Sequence, residues 1–358
     1  MNLTLQISVF LSLITAFIIA YSSIPTIVRV ANAKNLFAEP SYRRPHHGSV
    51  PILGGVAIFS ALLISVGLFS EFTAHKEFQY FFIASIVLFL IGIKDDILVT
   101  APLKKLLSEI SSALIIIILG DFRFTNLHGF LGVYEMNYYL SIALSLFVYI
   151  VIINGFNLID GIDGLAAGVG ILSSLVFGTW FFLNCNYEYA IIAASLIGSL
   201  IAFFWYNVYG EKYKIFMGDG GSLILGLTLA ILATEFNEMN IVQSGKWAIH
   251  AAPSVSFGIL IIPLFDTLRV FAIRTFRGVS PFRADKNHVH HRLLAMGMSH
   301  IRATTYILIV NIIIIFIVFT LNRWGVIRLM ILNLILATCF SIIPEMLFKL
   351  KAKKGPEK

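Results

Sequence analysis

The sequence predicts an all-α polytopic membrane protein of about eleven transmembrane helices, with its N-terminus outside and its C-terminus cytoplasmic. Three observations carry this. Apolar residues make up 58% of the 358 residues and charged ones only 13%, far from the mixture of a water-soluble domain. Apolar runs of about 20 residues, each long enough to cross roughly 30 Å of hydrocarbon, recur from end to end. And 21 of the 26 Lys and Arg residues fall in alternate connecting segments, 25–49, 94–105, 157–163, 206–220, 269–304 and 348–358, which assigns those segments to the cytoplasm. This lopsidedness also accounts for the net charge of +7 without a nucleic-acid partner.

Taken in order, spans are expected near 3–24, 50–69, 78–93, 103–119, 138–156, 164–183, 188–205, 221–235, 247–268, 305–321 and 328–347, all within one integral domain, 1–358. The first is read as uncleaved, because Met1 to Phe10 has no basic start and no small-residue cleavage site precedes Arg29. Gly54-Gly55 opens the second, and Lys104, Lys105, Ser108 and Glu109 make the fourth amphipathic at its start. Cys185 and Cys339 are too few and too far apart for a disulfide framework or a Cys-based metal site. The outward segment 121–137, with Phe122, Phe124, Phe130 and Tyr134, is expected at the membrane interface.

The acids cluster on the cytoplasmic side: Asp95, Asp96, Asp160, Asp163, Asp219 and Asp285. Losing or adding one span would scatter them over both faces. Asp95-Asp96 ends the third span, and adjacent carboxylates repel unless a cation or proton lies between them. A divalent metal or a general base fits there; a pair of solvated loop acids balanced by Lys94 and Lys104 is the plainer reading. Before the sixth span, Asn154, Asn157, Asp160 and Asp163 are spaced to share one face of a helical turn, and Gly161 and Gly164 permit close backbone approach. The plainer reading is a capped Asn/Asp/Gly turn.

Gly218-Asp219-Gly220-Gly221 opens the eighth span, where N–H groups and the helix dipole would face a phosphate and Asp219 could hold Mg²⁺. It is no Walker loop, because no Gly-Lys-Ser/Thr follows at the required spacing. The His/Arg-rich loop 269–304 carries His288, His290, His291 and Arg292 with five further Arg, a cationic pocket suited to pyrophosphate or sugar phosphate. Zinc is the competing reading of those histidines, opposed by the arginines and the lack of Cys. Asp266 is read as a structural partner of Arg269 or Arg274. Arg43-Arg44-Pro45-His46-His47 reads as a positive flank.

In combination, RRPH before VPILGG, KDD, NGFNLIDGIDGLAAG, GDGGSLILG and IPLFDTLRV running into SPFRADKNHVHHRLL resemble the polyprenyl-phosphate N-acetylhexosamine-1-phosphate transferases of glycosyltransferase family 4, over nearly the whole chain. The H-x-H-H spacing of His288, His290 and His291 is similar to the branch that initiates common antigen, wall teichoic acid and lipopolysaccharide O-antigen. Ala38 departs from the pattern, since many relatives carry Asp two residues before the Pro.

The resemblance implies transfer of an N-acetylhexosamine 1-phosphate, GlcNAc first among the candidates, from a UDP-sugar to undecaprenyl phosphate, with release of UMP. It also implies Mg²⁺, with Mn²⁺ as a substitute, and a place in the bacterial inner membrane with the site on the cytoplasmic face. Asp219 with Asn157 would bind the metal. Asp95 and Asp96 would position and deprotonate the lipid phosphate. Asp160 and Asp163 would hold the uridine or metal region, and His288, His290, His291 and Arg292 the sugar phosphate. The partners implied are the nucleotide sugar, the lipid phosphate and membrane lipid, with a homodimer as an open state. A transporter of an anionic substrate is the alternative, although transporters place such groups near the midplane. A CDP-alcohol phosphotransferase, suggested by Asp163-Gly164 and Ala166, lacks the further spaced Asp after an Arg.

Overall fold

The computed structural model describes residues 2–36, 50–71, 75–98, 100–242, 245–276 and 288–353. It is almost entirely helical, and every one of the expected spans contains a helix. Among the described residues, six helices are long and apolar enough to cross a membrane, or seven if one bent pair is counted as a span. Arg43–His47, Ala38 and residues 277–287, including Asp285, lie outside the described residues.

Helix α1 (Asn2–Ala33) lies along α7 (Tyr187–Tyr209) and α2 (Gly54–Phe69). α3 (Phe78–Leu98) leads into α4 (Pro102–Leu114), which starts with Pro102 in its first turn and runs on as a π-helical turn over Ile115–Leu119. Proline is well placed there, since a first-turn residue has no intrahelical N–H bond to lose. An antiparallel hairpin, β1 (Asn126–Phe130) with β2 (Val133–Glu135), pairs Asn126 with Glu135 and Phe130 with Val133. α5 (Tyr138–Ile159) follows, its first turn capped by the Asn137 side chain, which accepts from the Leu140 N–H at 2.9 Å. α6 (Leu165–Leu183), α7 and α8 (Asp219–Glu238) complete the centre. At 89%, α8 has the largest buried share among the six candidate spans. It packs against α2, α3, α5 and α6.

That central position depends on small residues. A Cβ on Gly92 of α3 would stand 2.6 Å from the Gly220 Cα, and one on Gly55 of α2 would stand 2.3 Å from the Gly221 nitrogen. Helices in a bilayer associate through such close backbone approach, because lipid offers no hydrophobic drive between them. α3 and α2 therefore cross α8 at its first turn, where the polar residues gather.

The expected straight span 247–268 is broken. α9 (Ala252–Ile259) and α10 (Ile261–Phe276) meet at Leu260 with an 86° bend. Pro263 cannot donate to the Ile259 carbonyl four residues before it. That carbonyl instead accepts from Ser173 Oγ at 3.4 Å and Asn311 Nδ2 at 3.3 Å, so it is not orphaned by the break. α11 (Val289–Ala295), α12 (His300–Thr320) and α13 (Val326–Lys353) close the chain.

Candidate active site

Four helix ends bring the polar residues together: the last turn of α3 (Asp95, Asp96), the first of α4 (Lys105), the last of α5 (Asn157) and the start of α8 (Asp219). The turn before α8 is held by backbone pairing with the VPILGG segment. Phe216 N–H donates to Pro51 O at 2.8 Å, Gly54 N–H to Phe216 O at 2.9 Å and Gly55 N–H to Met217 O at 2.8 Å. Gly218 turns the chain at φ +72°, and a side chain there would meet the Ile52 carbonyl and the Asp96 carboxylate, so glycine is required twice over.

The expectation that the α8 N–H groups face a phosphate is corrected. Asp96 takes them itself, accepting from Asp219 N at 2.7 Å and Gly220 N at 3.0 Å. A carboxylate is the natural occupant of a helix N-terminus, and here it ties α3 to α8. Asp95 is held by Thr100, whose N–H and Oγ1 donate to its Oδ1 at 2.5 and 2.6 Å. Its other oxygen lies 3.5 Å from Lys105 Nζ. The same ammonium pairs closely with Asp219 Oδ2 and lies 3.4 Å from Asn157 Oδ1. Asn157 Nδ2 in turn donates to Asp219 Oδ1 at 2.7 Å and Ser222 Oγ at 2.9 Å.

The strip of two Asn and two Asp on one helical face does not form. α5 ends at Ile159 and Gly164 turns the chain at φ +78°, so Asn154 and Asn157 remain on α5 while Asp160 and Asp163 lie in the connecting turn. Asn154 bonds Glu109 of α4 instead. Asp163 accepts from Lys214 Nζ at 2.8 Å and lies 3.3 Å from His300 Nδ1. Burial pushes its carboxyl up, but these partners outweigh it and hold the group below the usual carboxylate range. Burial and the nearby Asp219, Asp96 and Asp163 raise Asp160 well above that range, against a backbone bond from Gly218. Asp160, Asp163, Gly161, Asn207, Ile52 and Phe216 line an open cleft beside Gly218.

The histidines occupy two levels. His288 is 3% exposed, its Nδ1 2.8 Å from Asp266 Oδ2. Asp266 also takes Arg269 Nη2 at 2.9 Å and the Val289 N–H at 3.2 Å. The expected structural pairing of Asp266 with Arg269 is thus present, and His288 joins it. His290 is 2% exposed, its ring stacked on His288 and tilted against His291. A Cβ on Gly161 would lie 2.5 Å from His290 Nε2, which locks α11 onto the 160–164 turn. Burial first, and the neighbouring His291 second, lower His290 to about 3, so it is neutral at physiological pH. His291 and Arg292 are half-buried at the edge of this layer.

The donor set suits a hard divalent cation. Asp95, Asp219 and Asn157 contribute oxygen atoms only, and they already converge on one positive charge, the Lys105 ammonium. Among the described residues, no group of three or more His, Cys, Asp or Glu is placed to hold a metal; the set here is two carboxylates and an amide. Lys105 escaped the sequence reading as a site residue. Its signal was its place at the start of an amphipathic helix just after the paired acids. The pairing of VPILGG with the turn before α8 was not legible at all.

Residues 78–237 match the family model described as glycosyl transferase family 4. The decaprenyl-phosphate N-acetylglucosaminephosphotransferase of Mycobacterium leprae is 30% identical over 316 residues, covering 82% of this chain and 79% of that relative. The undecaprenyl-phosphate alpha-N-acetylglucosaminyl 1-phosphate transferase of Escherichia coli is 26% identical over 278 residues, 76% of this chain and 72% of the relative; that of Salmonella typhi is 26% identical over 279 residues, with the same coverage. The matched region contains every polar helix end described above and the 160–164 turn, and on these grounds the chain belongs to glycosyl transferase family 4.

Proposed function

We propose that the protein transfers GlcNAc 1-phosphate from UDP-GlcNAc to a polyprenyl phosphate, undecaprenyl phosphate in the first instance, releasing UMP and starting a lipid-linked envelope glycan. The observation that carries this is the convergence of Asp95, Asn157 and Asp219 on one cation position at four helix ends, beside the open cleft lined by Asp160 and Asp163. A polyprenyl phosphate reaches its reaction partner from within the bilayer. A site at helix ends on a membrane face is where its head group and a water-soluble nucleotide sugar can meet.

An oxygen of the lipid phosphate attacks the β-phosphorus of the nucleotide sugar. A new P–O bond forms, the bond from that phosphorus to the bridging oxygen breaks, and UMP leaves with the bridging oxygen. The bond from the sugar to its phosphate is untouched, so anomeric configuration is kept. We favour this direct route, because it asks only for in-line placement of the lipid oxygen, whereas a phosphorylated aspartate needs a carboxylate at that point. Mg²⁺, with Mn²⁺ as a substitute, would supply charge neutralisation on the pyrophosphate when bound; Asp219 and Asn157 would hold it.

Asp95 and Asp96 are the carboxylates we assign to orient and deprotonate the lipid phosphate. Asp96 fixes Asp219 through the α8 backbone. Asp160, Asp163 and the Phe216 ring shape the nucleotide cleft, and His291 and Arg292 reach the sugar phosphate from a layer braced by His288 and His290. One copy of the chain holds all of these residues, so the chemistry does not require a second copy, though a homodimer is compatible with it. The eleven-span reading places the site on the cytoplasmic face of the inner membrane. Its acids lie at helix ends and not at the midplane where a transporter would put them.

The test is transfer of label from a panel of UDP-N-acetylhexosamines to undecaprenyl or decaprenyl phosphate by the purified full-length protein, with Mg²⁺ or EDTA and beside Asp219→Asn. Labelled lipid with stoichiometric UMP, lost with EDTA and reduced at least 100-fold in the variant, is expected with UDP-GlcNAc as the preferred donor. Folded protein that yields no labelled lipid from any donor would sink the proposal.

A further inference from the structure

α4 carries two ionisable groups one turn apart, Lys105 and Glu109, and both face α5. Lys105 meets Asn157, and Glu109 takes the Asn154 amide one turn deeper along α5. Glu109 is 1% exposed, within an apolar run, and an ionisable residue in such a place normally has a task. The catalytic scheme above leaves it none. Residues four apart on a helix have Cβ atoms about 5–6 Å from each other, so the long Lys105 side chain can pivot from Asp219 to Glu109 with no change of backbone.

Lys105 occupies the point where Asp95, Asn157 and Asp219 converge. Without a cation there, two carboxylates would repel each other in a setting of low polarity. An ammonium and a divalent ion cannot both take the position. We propose that Lys105 is a built-in placeholder cation that holds the site together before metal arrives, and that Glu109 is the positioning residue that receives the ammonium when metal displaces it. Metal entry then leaves no unpaired lysine in a buried place, an expense the bilayer setting would otherwise impose. This rests on the metal reading of Asp219 and Asn157 given above.

The experiment titrates full-length protein in nanodiscs with Mn²⁺, reading free ion by its electron paramagnetic resonance signal, alongside thermal unfolding without metal. Lys105→Gln and Lys105→Met are both made, so that one failing to fold does not end the test; Glu109→Gln keeps an oxygen for Asn154. Either Lys105 variant is expected to bind Mn²⁺ at least 10-fold more tightly and to unfold at lower temperature without metal. Glu109→Gln is expected to weaken binding at least 10-fold in the native background and less than 2-fold once Lys105 is replaced. Independent, multiplying effects of the two substitutions would mean that both act only through their charge, and would overturn the exchange. Unchanged Mn²⁺ binding in the Lys105 variants would overturn the placeholder while leaving the metal reading intact. Equal binding by the native protein and Asp219→Asn would remove the metal reading and this inference with it.

Discussion

His290 shows what a single buried ring can impose on a membrane-surface layer. It is 2% exposed, sits between His288 and His291, and presses its Nε2 against Gly161; Asp266 is the acid near this group, and His288, His291 and His300 are the other titratable rings around it. Its pKa falls from the ordinary 6.5 to about 3, so the folded state takes up its proton later than the unfolded state does. Stability from this group is complete above pH 6.5 and declines as pH falls toward 3, with a slope of up to about 1.4 kcal/mol per pH unit. Thermal unfolding between pH 7 and 5 is therefore expected to lose more for the native protein than for His290→Gln, which has no proton to gain. Parallel losses would show that another group carries the acid sensitivity. The run of three histidines was legible in the sequence as a functional cluster. That His288 answers to Asp266, 22 positions away, was not, because only the fold of α10 against α11 sets that pair.

Among the elements, α3 and α8 carry the tightest geometrical demand. Gly92 faces the Gly220 backbone at a distance that no side chain can share, and the two catalytic-region acids of α3 follow within one turn. Gly92→Val is expected to push the α3 end outward, destabilise by about 1–3 kcal/mol and lower transfer activity more than 10-fold. Gly67→Ala on α2 is the comparison, because its Cβ would stand 3.8 Å from Phe82 and disturb little; activity within 2-fold of native is expected there. If Gly92→Val folds and transfers label like Gly67→Ala, the crossing does not set the site. Helices were readable from apolar run length, and the cap at Asn137 and first-turn Pro102 follow local rules. The break at Leu260 was half readable. Pro263 was visible, but the side chains that relieve the freed Ile259 carbonyl, Ser173 and Asn311, come from helices far off in sequence.

For the whole molecule, a site end and an opposite end follow from alternation of the spans. α4 starts and α5 ends at the site, so the hairpin between them lies at the other end; exposed Tyr134, Tyr138 and Tyr139 are there, the residues that favour the membrane interface. Cys185 follows α6, which runs away from the site, and is exposed. Lys212 lies between α7 and α8, on the site's side. With the Lys/Arg-rich segments inside, an impermeant maleimide should label Cys185 in intact cells. A Lys212→Cys variant carrying Cys185→Ser and Cys339→Ala should be labelled only after the membrane is opened. Labelling of that Cys in intact cells, with Cys185 protected in the native protein, would invert the molecule. The acids and the proposed nucleotide cleft would then face away from the cytoplasm, where a nucleotide sugar is made, and the transferase reading would lose its donor.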